Sequence, residues 1–150
     1  MKPSQVRAHV LGDHEHLRAR LRSLERHGKR VLEGSEGELA ALRDEVEDFL
    51  ARLREHMGWE ELHLRTALLE ADAWGQERAR HLDDDHREQR ELLELILRVV
   101  GDRSRPPPLV ARNVLDLVAL VLDDMVEEER WLLDERVLRD DVISIEAEDG

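Results

Sequence analysis

The chain has 150 residues, no cysteine and no tyrosine, and its 36 acidic residues outnumber 23 basic ones to give a net charge of -13. Disulfides, thiolate metal sites, iron–sulfur clusters and phenolate ligands are thereby excluded, and the negative field repels nucleic acid and anionic membrane surfaces. The size suits one domain with its own core, and eight histidines beside one Phe and three Trp form a compositional pointer to metal chemistry.

From about Ser4 to Glu33, Val10, His14, Leu17, Leu21, Leu24 and Val31 recur in steps of mostly three and four, the period of one face of a helix. EGSEGE at 33–38 interrupts the pattern, and Ser35 and Glu38 have the spacing of a capping box for a second helix. That helix is expected to run to about Glu70, with Leu39, Leu42, Val46, Phe49, Leu53, His56, Glu60, His63 and Ala67 on its inner face. ADAWG at 71–75 reads as a break with Asp72 as N-cap. A third helix then runs to about Val100 along Ala79, Leu82, His86, Gln89, Leu93, Ile96 and Val100. GDRSRPPP at 101–108 reads as a loop whose prolines lead into the next helix. The fourth, about Leu109 to Arg139, should bury Val114, Val118, Val121 or Leu122, Met125 and Leu132, with Glu128 and Glu129 on its two edges. The acidic tail at 141–150 is expected to be partly disordered. No segment has the apolar length of a membrane span and the N-terminus lacks a signal-like apolar region, so a soluble, cytoplasmic protein is expected. Four long helices with short connections predict an all-α, antiparallel up-down four-helix bundle over residues 1–140.

Histidines and carboxylates on core-facing seams are costly unless something neutralises and hydrogen-bonds them. Measured from the bundle end where the first helix starts, the helical rise puts His14 at about 16 Å, His56 at about 22 Å, Glu60 at about 16 Å, His86 at about 18 Å and Glu129 at about 15 Å. Each helix thus offers a metal-ligand type to one slab of the core. Three imidazoles and two carboxylates suit iron, manganese or zinc, and carboxylates from two helices favour a bridged di-iron centre. Mononuclear iron or another divalent metal is the alternative. His63 lies a layer nearer the bundle end, as an outer or replacement ligand. Trp59 and Trp131, beside site positions, are candidates to shield the metal. His9, His16, His27 and His81 fall off the seams and should be solvated.

DHEHLRARL at 13–21, HMGWEEL at 56–62, DHREQRELL at 85–93 and MVEEERWLL at 125–133 resemble, in order, the four helix motifs of the hemerythrin-like HHE cation-binding family. The resemblance implies terminal iron ligands at His14, His56 and His86, with Glu60 and Glu129 bridging. The chain departs from the motif at Met125, which stands at the fourth-helix histidine position. Because a thioether is a poor ligand for non-haem iron, the second metal position is left to Glu128 or water, to weak occupancy, or empty. The implied function is binding of a small diatomic ligand (oxygen or nitric oxide) or peroxide, in sensing, scavenging or iron storage. Two alternatives stand beside it: a peroxide-consuming or iron-delivering enzyme on the same site, and a metal-free interaction module with an eroded site.

Overall fold

The computed structural model describes residues 1–141, which form four long helices and, among the described residues, no strand. Helix α1 spans Pro3–Leu32. Helix α2 is one rod in three stretches, α-helical over Leu39–Trp59, a π turn over Glu60–Leu64, and α-helical again over Arg65–Ala71. Helices α3 and α4 span Gly75–Gly101 and Pro107–Trp131. The acidic tail lies, apart from Asp141, outside the described residues. Among the described residues no helix is long and apolar enough to cross a membrane.

The seam of α1 is buried as its period requires; Val6 extends it toward the N-terminus and Gly28 fills the step between Leu24 and Val31. Two boundaries differ from the sequence expectation. Ser35 makes no side-chain cap, and a 3-10 turn over Glu36–Glu38 leads into α2 instead of a capping box. Asp72 acts in the link before α3, where Oδ1 accepts the Trp74 N–H at 2.8 Å and both carboxylate oxygens take the Arg78 guanidinium. Helix α3 follows at Gly75, where a Cβ would lie 2.4 Å from the Leu68 carbonyl oxygen and 2.8 Å from that of Leu69. Only glycine lets α3 start this close to the last turn of α2, and that approach sets where His86 stands relative to Glu60.

The largest correction is at the end of α4. The helix stops at Trp131, not Arg139, and its last N–H groups, from Leu132 and Leu133, converge on the Glu128 carbonyl at 2.9 and 3.2 Å. Leu132, Leu133, Val137 and Leu138 are all buried. On a continuing helix these four would spread over about 240° of the circumference, so a straight rod cannot bury them together. The chain turns instead and lays them across the bundle end, fixed by the Arg7 side chain on the Leu133 carbonyl at 2.6 Å and by Ser4 on Asp140.

The apolar interior is divided in two. A large cluster includes Leu17, Leu53, Met57, Leu93, Val121 and Met125. A smaller one at the bundle end includes Val10, Leu64, Leu68, Leu82, Leu132 and Leu138. On every helix the boundary between the clusters falls at a polar position: His14 between Val10 and Leu17, Glu60 between Met57 and Leu64, His86 between Leu82 and Leu93, Glu128 between Met125 and Leu132.

Candidate metal centre

That boundary is a buried polar layer. His14, Glu60 and His86 are each 1% exposed and His56 is 7% exposed; the Glu128 side chain is 11% exposed. One ligand atom each from His14, His56, Glu60 and Glu128 lie within 4.8 Å of one another, and no other group of three or more such residues converges among the described residues. His86 meets this set at Glu60, with Nε2 at 3.2 Å from Oε1, the same oxygen that lies 3.1 Å from His56 Nε2.

All three imidazoles are held from outside in the same way. Nδ1 of His14 contacts Glu129 at 3.0 Å, Nδ1 of His56 contacts Asp13 at 2.9 Å, and Nδ1 of His86 contacts Glu61 at 3.1 Å. Two of these carboxylates are themselves gripped by arginine, Glu129 by Arg18 at 2.6 Å and Glu61 by Arg90. An ionised carboxylate can only accept, so in a neutral imidazole Nδ1–H donates outward and the Nε2 lone pair faces inward. The lone pair of His14 then faces Glu128 Oε1 at 3.1 Å, and those of His56 and His86 face Glu60 Oε1. Acceptors at these distances repel unless a proton or a cation lies between them.

Proton energetics describe the same crowding. Burial works against charge on Glu60, but hydrogen bonds from Glu128, His56 and His86 outweigh it and hold Glu60 below the usual carboxylate range. Burial and then the Glu60 charge push Glu128 well above that range. Two carboxyl groups this close in a buried site oppose each other's ionisation, and a cation between them would remove that cost. Burial pulls His14 below its ordinary value. On His56 burial also opposes charge, but Glu60 and Asp13 prevail and raise it. Glu60 Oε2 and Glu128 Oε1 remain buried without a hydrogen-bond partner, an expense of about 1–3 kcal/mol each. A divalent cation would satisfy both oxygens and the inward lone pairs, so nitrogen and oxygen donors of this kind fit the metal that the sequence motifs imply.

The structure rearranges the expected donor set on α4. Glu128 faces the layer, whereas Glu129 sits on the outer nitrogen of His14. The buried stripe of α4 runs through Val114, Leu117, Val118, Val121 and Met125, with Leu122 only partly buried; that phase points inward at Glu128. A motif whose two ligand positions stand four apart and which ends at Glu128 begins at Asp124, so Met125 is not its first position, and Met125 is packed in the large apolar cluster. His63 is exposed and tilted against Trp59 at 4.6 Å. The π turn adds a residue to the helical repeat there and gives the inward position to Leu64. Trp131 is 61% exposed and, with Trp74, lines a surface groove, so it does not shield the layer. Trp59 is stacked on His9 at 3.7 Å, at the edge of an open cavity of about 450 Å³ that reaches His56 and Asp13. His27 is not free in solvent: its Nδ1 meets Glu45 at 2.5 Å. The outer residues Asp13, Glu61, Arg18 and Arg90 escaped sequence reasoning. Their one sequence signal is a carboxylate adjacent to a site residue, as in Asp13–His14 and Glu60–Glu61, and acidic neighbours are too common in this chain to single them out.

A helical bundle whose apolar core is interrupted on all four helices by imidazoles and carboxylates is built to bind a cation. Residues 6–135 match the hemerythrin HHE cation binding domain, and the chain belongs to that family. No curated protein and no solved structure matches the chain.

Proposed function

We propose that the protein is a non-haem iron protein, an antiparallel up-down bundle over residues 1–140. Its buried centre takes oxygen, nitric oxide or peroxide, for sensing, scavenging or iron storage in the cytoplasm. The supporting observation is the inward lone-pair crowding of His14, His56, Glu60 and Glu128, with two carboxylate oxygens left unpartnered in a buried layer. Those four side chains would hold the metal, and the outer carboxylates Glu129, Asp13 and Glu61 orient the three imidazoles. Bound iron supplies a redox-active Lewis acid to a small ligand. The chain supplies a shell that excludes bulk water, since Val10, Leu17, Leu64, Leu82 and Leu132 pack above and below the layer. The open cavity at His9, His16 and Trp59 offers a small ligand its approach on the His56 side.

The test is the iron content of protein produced in iron-rich medium, for the natural chain and for His56→Ala. The natural chain should retain iron through gel filtration and show absorption changes with oxygen, nitric oxide or peroxide, and the variant should not. Equally low iron in both rejects the proposal.

A further inference from the structure

Granted that the layer binds a cation, as proposed above, we infer that it is built for one ion and not a pair, and that His86 serves as a positioning residue for Glu60. The ion's seat is the set His14, His56, Glu60 and Glu128, two nitrogens and two oxygens whose atoms lie within 4.8 Å of one another. Four such donors complete the coordination of a tetrahedral ion, or leave open positions on a larger shell.

A second ion would have to sit on the far side of Glu60, around His86, where the half-buried carboxylates at hand, Asp85 and Asp124, already have side-chain partners. One turn before His86 stands Leu82, buried in the smaller apolar cluster. One turn after it stands Arg90, a cation paired with Glu61. On α4, Met125 belongs to the large apolar cluster, and the Asp124 carboxylate accepts the Gln89 side-chain N–H at 3.1 Å. Asp85 is occupied by His81 at 3.3 Å. His86 is therefore the one imidazole on that side, and it reaches the layer only by Glu60 Oε1, at 3.2 Å. Its other nitrogen is fixed at 3.1 Å by Glu61. In this arrangement His86 is held between Glu61 and Glu60 by its two nitrogens and fixes how the Glu60 carboxylate is presented to His14, His56 and Glu128.

The metal-free full-length chain, titrated with cobalt(II) alone, tests this. Bound cobalt is followed by its visible d–d absorption and counted after gel filtration, with circular-dichroism melting to show that each variant is folded. The natural chain should take up one cobalt per chain. His86→Gln, which keeps a hydrogen-bond donor, should still take up one, with affinity reduced by about 10-fold to 100-fold, whereas His56→Gln should lose the bound cobalt. Two cobalt ions per natural chain would overturn the single seat. A folded His86→Gln protein that loses cobalt as completely as His56→Gln would overturn the positioning role. A natural chain that binds no cobalt and no iron would instead reject the cation-binding function on which the inference rests.

Discussion

Replacing Glu128 with leucine separates a metal site from a structural polar network, because the two give stability changes of opposite sign. In the metal-free protein Glu128 holds one of two buried oxygens without a hydrogen-bond partner. It also faces Glu60 in a site where each opposes the other's ionisation. Leucine removes that acceptor and joins Met125 and Leu132, the apolar neighbours on its own stretch of chain. Relief of one unsatisfied acceptor is worth about 1–3 kcal/mol, and for a domain of this size each kcal/mol moves the melting temperature by about 2–4 °C. Metal-free Glu128→Leu should therefore melt roughly 2–12 °C above the metal-free natural chain. The natural chain, with free metal at a hundred times its dissociation constant, gains about 2.7 kcal/mol, and the variant should gain none. Calorimetry with and without chelator measures both quantities. If metal-free Glu128→Leu is instead destabilised by about 3–5 kcal/mol, the cost of stripping a partner from a buried pair, the layer is a structural network. A metal-induced rise that survives the substitution would equally refute the assignment of Glu128.

Asp13→Asn, Glu61→Gln and Glu129→Gln should each weaken cobalt(II) binding by about 10-fold to 100-fold while the helical content is unchanged, because each removes the charge that orients one imidazole; competition with a chromogenic chelator reads the affinities. Gly75→Ala should cost about 1–3 kcal/mol by urea unfolding, since its Cβ would collide with the Leu68 and Leu69 carbonyls. Asp134 contacts Arg136 through its side chain and backbone N–H, which lowers its pKa from 3.8 to about 2. A carboxylate depressed on folding adds stability that is complete above its unfolded value and is lost as pH falls through the folded one. Asp134→Asn should therefore lower the urea midpoint above about pH 4, with an effect that shrinks as the pH falls and vanishes below about pH 2; a difference that grows as the pH falls would contradict this.

The four helices were legible in the chain because each carries a sustained period of three and four. The turns were legible because Gly, Pro and Asp interrupt that period. His14, His56, Glu60 and His86 were found by the same rule, being polar residues at positions where the period demands apolar ones. Their common level was read from helical rise together with an assumed antiparallel arrangement, and their burial from their place on the seams. What periodicity does not carry is phase at a local irregularity and the end point of a helix that stops against tertiary structure. The π turn exchanged His63 for Leu64, and the burial of Leu132, Leu133, Val137 and Leu138 across the bundle end stopped α4 at Trp131. The choice between Glu128 and Glu129, neighbours about 100° apart on the helix, depended on how α4 is rotated against the other three. That rotation is set by packing of Leu117 and Val121 into the shared core, a property of the assembled bundle. The outer carboxylates and their arginines belong to the same class, because each pair joins residues distant in the chain, as Arg18 joins Glu129, and only tertiary structure brings such residues into contact.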